Sequence, residues 1–370
     1  MKVLRKFSRV FVGLVFVFSG FVKGVDPLGT VYRIEDYFIA YGTEWAIPMA
    51  LFFSVFLCTL EFTLGIVMVL NIRVKQFAWI LFSMMIFFTI VTFYDALYNP
   101  VPDCGCFGDA ITLTNWATFY KNIFLMIFTS IIFFRRKKMY GKFPPRTGTM
   151  IVVFVFIAFG WFSVYNYNHL PVIDFRAWKV GNDMAPDNEE AVKVFVTYKN
   201  IKTGEEKEFL SPNYPWNDSV WITEWEFVDQ RMDDNNLFDG FELKIEDIYG
   251  DDYTKHYLEN QDYQFIIVAY DLEKTDKEAF QKINDLYQKT EEKGYSLIVL
   301  TSEIPDNIDK FKKELNVEYE FYFADDVALE TMVRANPGLI LMKDGIVLNK
   351  WHYNDFPNYS ELEEEFPELL

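Results

Sequence analysis

Cysteine and histidine are scarce in this chain, which has three of each among 370 residues. No cysteine follows Cys106. The long C-terminal part therefore cannot carry disulfide cross-links or run a dithiol reaction, because attack and resolution both need a thiolate. Basic charge is also short, with 35 Lys+Arg against 53 Asp+Glu and a net charge of −18. That balance argues against nucleic acid as a partner, since phosphate binding needs clustered Lys and Arg. The deficit is uneven. Residues 1–168 hold 15 basic and 8 acidic residues, and the remainder holds 20 and 45. The first part is cationic, and the second has the strong negative charge of a domain that stays soluble.

Charge is nearly missing from five apolar stretches, approximately Phe7–Val22, Trp45–Leu70, Phe77–Ala96, Trp116–Phe134 and Met150–Tyr165. A bilayer core of roughly 30 Å takes about 20 helical residues, so these predict five transmembrane helices and the lipid bilayer as a partner. The first is followed by Lys23-Gly24-Val25-Asp26-Pro27 rather than a small-residue cleavage site, so it reads as a retained helix. The cations around residues 2–9, 73–75 and 135–146 all fall on one side of a five-span arrangement. The positive-inside rule then puts the N-terminus in the cytoplasm, and the 95–115 loop and everything after about residue 168 outside. Trp45, Trp116, Trp161, Tyr94, Tyr98 and Tyr165 sit near the outer ends, where aromatic belts form.

In the first helix, Gly20 and Gly24 form a small-x-x-x-small pair suited to close helix packing. Polar residues 166–188 read as a juxtamembrane linker. Strand-like runs at Val192–Tyr198, around Phe209, at Val220–Phe227 and at Phe241–Ile248 predict a β-rich lead-in. From Tyr263 onward strands and helices alternate: strand Phe265–Tyr270, helix Thr275–Lys293 opened by a Thr275-x-x-Glu278 capping box, strand Tyr295–Leu300 and helix Asp306–Leu315. Strand Glu320–Ala324, helix Val327–Arg334 and a hairpin turning at Lys343-Asp344-Gly345 follow. This order resembles the thioredoxin fold, and Pro337 in Asn336-Pro337-Gly338 resembles its cis-proline. Thioredoxins carry Cys-x-x-Cys where this chain has Lys274-Thr275-Asp276-Lys277.

The chemistry-bearing residues lie in the membrane part. Cys104 and Cys106 flank Gly105 in the outer loop Asp103-Cys104-Gly105-Cys106-Phe107-Gly108-Asp109. A Cys-x-Cys disulfide closes a small ring and is comparatively easy to reduce, and the outer compartment is oxidising. A redox-active pair, structural cysteines, and metal or cofactor ligands with Asp103, Asp109 and His169 all remain open at this point. The metal reading lacks ligands, for a closed zinc site needs four. Glu61 stands inside the second apolar stretch, where an ionisable group is costly unless it faces the bundle interior. It reads as a proton-exchange or quinone-binding residue, or as a packing residue. Cys58, one turn earlier, reads as a small buried hydrophobe. Lys23 and Asp26 read as a pair or as interfacial residues, and His256 and His352 as ordinary histidines.

Arg9-Val10-Phe11-Val12-Gly13 through Ser19-Gly20-Phe21-Val22-Lys23, Glu61 with Gly65, and the cysteine loop resemble the DoxX-like superfamily, particularly its MauE branch, over residues 5–135. The resemblance implies a four-helix bundle in a bacterial inner membrane, linked to thiol, sulfur and quinone redox chemistry. The MauE branch is implicated in maturing a disulfide-rich amine dehydrogenase subunit beside a thioredoxin-like partner. The expected fold is thus an all-α transmembrane bundle followed by an α/β thioredoxin-like domain with a mixed sheet. The expected boundaries are 1–140 for the four-helix domain, 148–168 for a fifth span, 169–190 for a linker, 191–262 for the lead-in and 263–370 for the thioredoxin-like domain. The expected function is membrane thiol–disulfide exchange through Cys104, Cys106 and Glu61 with an extracytoplasmic protein, quinone being the candidate cofactor. The alternative is a non-catalytic assembly factor whose cysteine-free domain binds clients.

Overall fold

The computed structural model describes residues 2–101, 103–185, 194–210, 214–215, 219–232 and 243–367. The chain divides into two compact units, one formed by residues 1–167 with 171–173 and the other by residues 168–170 with 174–370.

The first unit is all helical. Helix α1 spans Lys2–Val25, α2 Pro27–Ala40, α3 Ala50–Leu70 behind a 3-10 turn at Glu44–Met49, α4 Val74–Tyr98, α5 Asn115–Arg135 and α6 Pro145–Asn168. Five of these helices are long and apolar enough to cross a membrane, as the hydrophobic runs predict, and the chain is a multi-pass membrane protein. The sixth, α2, has no counterpart among the hydrophobic runs of the sequence. Its start is set locally: Asp26 accepts a hydrogen bond from Gly29 N at 3.0 Å and Pro27 occupies the first turn, a capped N-terminus. With 14 residues, including Arg33, Glu35 and Asp36, α2 is too short and too polar to span.

Lipid offers no hydrophobic drive between helices, so close approach through small residues matters. A Cβ added at Gly20 would lie 2.4 Å from Phe62 N, and one at Gly65 would lie 2.5 Å from Val17 N. The backbones of α1 and α3 therefore touch. The small-residue pair proposed from sequence is divided, because Gly24 meets the ring of Phe159 in α6 while Gly20 meets α3. Around this contact Val12, Phe16, Leu64, Met68, Leu81, Met85, Leu125 and Ile132 form the bundle core.

The second unit contains two sheets. Strands β1 (Val194–Asn200), β2 (Glu206–Leu210) and β3 (Trp225–Met232) form an antiparallel sheet in the order β2-β1-β3, with helix α7 (Ser219–Glu224) before β3. The predicted strand Val220–Phe227 is thus helical in its first half. A helical turn brings Trp221 and Trp225 into stacking at 5.8 Å and sets Trp221 on Tyr198 at 4.8 Å. Among the described residues of the predicted strand at 241–248, pairing is reduced to isolated antiparallel bridges of Glu246 with Phe323 and with Asp252. A turn ends it at once, with Asp247 accepting from Tyr249 N and Asp251 N and Gly250 at φ +86°. Val192 and Phe241, which open two of the expected runs, lie outside the described residues.

Helix α8 (Thr254–Leu258) leads into β4 (Gln264–Val268), α9 (Ala279–Lys293), β5 (Ser296–Thr301), α10 (Pro305–Leu315), β6 (Glu320–Phe323), α11 (Asp326–Met332), β7 (Gly338–Lys343), β8 (Ile346–His352) and α12 (Tyr359–Glu365). The sheet order is β6-β5-β4-β7-β8, with β4, β5 and β6 parallel and β7 and β8 antiparallel. This mixed sheet is the thioredoxin-like fold expected from the sequence. Side chains of β4 alternate between two cores. Phe265 and Ile267 pack with Phe280, Ile283 and Phe311 from α9 and α10, and Ile266 and Val268 pack with Leu329, Met332 and Trp178. Asp344 and Gly345 both have positive φ, +49° and +79°, as a two-residue hairpin turn requires.

Two local readings change. The Thr275/Glu278 capping box does not form: α9 begins at Ala279, whose N–H is accepted by Asp276 at 2.9 Å. The expected linker is partly folded onto this unit. Trp178 is 2% exposed, and Gly181 N and Met184 N donate to Val347 O and Gly345 O at 2.8 Å each.

Candidate functional site

The loop between α4 and α5 is held from several directions. Asn99 ends α4 in a left-handed conformation with φ +45°. Asn115 Nδ2 donates to Asn99 Oδ1 at 3.2 Å and to Val101 O at 3.1 Å, which closes the base. Asp103 Oδ1 accepts from Gly105 N at 2.7 Å, and Asp103 Oδ2 accepts from Arg33 Nη2 of α2 at 2.5 Å. Gly105 has φ +61°, a conformation in which side-chain-bearing residues are strained. The tight turn places the sulfurs of Cys104 and Cys106 3.2 Å apart, as free, half-buried thiols.

The two thiols have unlike surroundings. Ser19 Oγ of α1 lies 2.8 Å from Cys106 O. Hydrogen bonding from Cys104, followed by the ammonium groups of Lys121 in α5 and Lys23 in α1, outweighs burial and holds the Cys106 thiol at about 6. The shared hydrogen bond, burial and the nearby Cys106 charge push Cys104 well above the ordinary thiol value. Tyr37 of α2 reaches Cys104 as well and donates to Asp95 Oδ2 at 2.7 Å. The two ammonium groups beside Cys106 thus favour the thiolate form there, with Cys104 in hydrogen-bonding contact with it. A thiolate beside cations, with a second thiol in contact, is the arrangement that thiol–disulfide exchange uses.

Behind the loop lies a buried ion pair. Lys23 Nζ lies 2.6 Å from the Glu61 carboxylate, and the two residues are 5% and 2% exposed. Ser19 Oγ also donates to Glu61 Oε2 at 2.8 Å, so the same hydroxyl stands between Glu61 and the Cys106 carbonyl. Of Lys23 and Asp26, read from sequence as a pair or as interfacial residues, Lys23 binds Glu61 and Asp26 caps α2. The cost of a lone carboxylate among apolar helices explains the choice. Cys58 is fully buried, bonded to Thr30 and Ser54 and near Lys23.

Of the residues predicted for the site, Cys104 and Cys106 are in contact, and Glu61 is linked to Cys106 through Lys23 and Ser19. Sequence reasoning missed Ser19, Arg33, Tyr37 and Lys121. Lys121 carried a faint signal as a cation inside an apolar stretch. The metal-ligand set is not assembled: Asp103 is bound to Arg33, and His169 pairs with Asp355 at 2.8 Å in the second unit. Among the described residues no group of three or more His, Cys, Asp or Glu is arranged to hold a metal ion.

In the second unit, the segment in the thioredoxin cysteine position lies against the cis Asn336–Pro337 bond. Asp276 N donates to Asn336 O at 3.1 Å, and Asn336 Nδ2 to Asp271 O at 2.7 Å. Thr275 is buried there, so a hydroxyl stands near the place where a thiol would be needed. His352 is buried too, and desolvation holds its imidazole down at about 4. His256 is exposed.

No curated protein matches the chain. A solution structure described as "a putative protein disulfide isomerase from Bacteroides thetaiotaomicron" is similar over 34% of this chain and 84% of its own, at 15% identity and a TM-score of 0.28. The fold assignment rests on strand order rather than on that likeness. Residues 1–135, which contain α1 to α5, the cysteine loop and the Lys23–Glu61 pair, match the family model described as Methylamine utilisation protein MauE, which supports a MauE-type membrane domain in that part of the chain.

Proposed function

We propose that the protein exchanges thiols and disulfides with an extracytoplasmic protein through Cys104 and Cys106. The observation that carries this reading is the pair of thiols at 3.2 Å, with Cys106 beside Lys121 and Lys23. The Cys106 thiolate attacks one sulfur of the partner's disulfide, forming a mixed disulfide and releasing the partner's first thiolate. Cys104 then gives up its proton and attacks the Cys106 sulfur, releasing the second. Two electrons pass to the partner, the released thiolates take up protons, and the loop is left as a disulfide. The reverse sequence oxidises a partner dithiol. Lys121 and Lys23 stabilise the thiolate, Glu61 holds Lys23 in place, and Arg33 braces the loop.

In this reading the protein sits in a bacterial inner membrane with its N-terminus cytoplasmic and its cysteine loop and second unit outside. The DoxX-like features of α1 and the loop agree with it. Quinone is not assigned to Glu61, whose oxygens are already taken up by Lys23 and Ser19, and no step passes through one. The cysteine-free second unit would recognise the partner without taking part in exchange.

A partner-trapping experiment tests the proposal. Cys104→Ser keeps the attacking sulfur and lacks the resolving one, so it should accumulate a mixed disulfide with the partner. Cys106→Ser should accumulate far less, and an absence of any trapped species with either variant would remove the exchange mechanism. Thr275 and Asp276 in place of a dithiol favour the second reading, a non-catalytic assembly factor. That reading expects the Cys104→Ser/Cys106→Ser protein to keep full activity per folded molecule.

A further inference from the structure

The end of the bundle away from the cysteine loop has its own chemistry. Helices α1 and α5 pack there through phenylalanine rings: Phe11 meets Phe124 and Phe128 at 6.0 and 5.2 Å, and Phe7 meets Phe128 at 5.9 Å. Beyond these rings a groove of about 420 Å³ opens, lined by apolar Leu4, Ile131 and Phe134 and by the cations Arg5, Arg135 and Lys138. Arg5 Nη1 donates to Lys138 O at 3.0 Å, tying the start of α1 to the turn after α5. Among the described residues none of these three cations has a carboxylate partner. Arg136, the next residue in the chain, is engaged elsewhere, donating to Phe133 O at 2.6 Å and lying over the rings of Trp79 and Phe133.

Three uncompensated cations call for an anion, and the apolar lining calls for hydrocarbon. Leu4 and Phe134 are 44% and 72% exposed. The groove lies at the termini of two membrane-capable helices, and the end of a spanning helix is where phosphate headgroups meet acyl chains. A soluble anion would satisfy the cations but leave Leu4, Ile131 and Phe134 uncovered. We propose that this groove binds one anionic phospholipid, with its phosphate against Arg5, Arg135 and Lys138 and an acyl chain along Leu4, Ile131 and Phe134. The inference is independent of the redox reading.

The test uses the full-length protein, delipidated in neutral detergent and titrated with phosphatidylglycerol, with bound lipid counted by native mass spectrometry. Each cation near the headgroup is worth about fivefold in affinity, so Arg5→Gln/Arg135→Gln/Lys138→Gln should bind the first lipid about 100-fold more weakly. A charge-matched control at the same end, Lys2→Gln/Lys6→Gln/Lys137→Gln, should stay close to wild type. Phosphatidylcholine with the same chains should bind poorly, and millimolar inorganic phosphate should not displace the lipid. If the triple variant does not fold, Arg135→Gln alone should show about a fivefold loss. Equal loss in the control would mean diffuse attraction. Equal binding of phosphatidylcholine would mean an acyl slot without headgroup selection, and displacement by phosphate would mean a soluble-anion site. Each of those results overturns the proposal.

Discussion

Replacing Cys104 by Ala should make Cys106 a weaker nucleophile near neutral pH even though Cys106 itself is untouched. The reason is geometric. Cys104 lies 3.2 Å from the Cys106 sulfur, and its hydrogen bond is the largest single influence holding Cys106 at about 6. A hydrogen bond to a charged group contributes about 1.5–3 kcal/mol, and one pKa unit corresponds to about 1.4 kcal/mol. Cys104→Ala should therefore move the Cys106 midpoint from about 6 to roughly 7–8. The thiolate is the reactive form above its midpoint and is lost as pH falls through it. At pH 7 the Cys106 alkylation rate should drop by about 2- to 10-fold, and at pH 9 the variant should approach wild type. Cys104→Ser restores a donor at the same place and should keep the midpoint low. The assay is iodoacetamide labelling of full-length protein across pH 5–9, quantified on the peptide that contains Cys106 so that buried Cys58 does not contribute. An unchanged midpoint in Cys104→Ala would refute the reasoning, as would equal shifts in the Ala and Ser variants.

Three further outcomes follow from packing and charge. Lys23→Met and Glu61→Gln each leave a buried group without its partner and should each cost about 3–5 kcal/mol, whereas Lys23→Met/Glu61→Gln should cost less than the sum; additive losses in detergent unfolding would disprove the pairing. Gly65→Ala adds a Cβ 2.5 Å from Val17 N and should cost about 1–3 kcal/mol or more by forcing α1 from α3. Gly160→Ala, whose Cβ would come no closer than 3.6 Å to Thr59, should leave the melting temperature nearly unchanged, so similar losses in the two variants would contradict the contact. In the second unit, Asp174 bonds both Arg176 and Lys350. Asp174→Asn should lower stability by about 3 kcal/mol, clearly more than Lys350→Met does, and the reverse ranking in chemical denaturation would count against the buried network.

The five spans were legible in the sequence because the length and apolarity of a run are local properties. The β4-to-β8 order was legible for a related reason: Phe265 to Val268 must be apolar on both faces, and Asp344-Gly345 marks the hairpin by conformation alone. The missing thiols after Cys106 needed no structure to interpret. Helix α2 could have been found, since Asp26-Pro27 is a capped start, but the same residues also read as the end of α1. Local propensity misread Val220–Glu224, where the contact of Trp221 with Tyr198 favours a helical turn.

The site itself required tertiary structure. Lys23 finds Glu61 across 38 residues and Arg33 finds Asp103 across 70. Neither partner is marked by spacing, because helix packing decides which charges meet. The difference between Cys104 and Cys106 is likewise invisible in Cys-Gly-Cys. It arises because α1 and α5 bring two ammonium groups to one sulfur, while α2 brings Tyr37 to the other. Sequence determined which groups were available to react, and the folded bundle decided which thiol sits beside the cations, since in a poorly solvated site a thiolate is favoured where hydrogen bonds and cations replace the lost water.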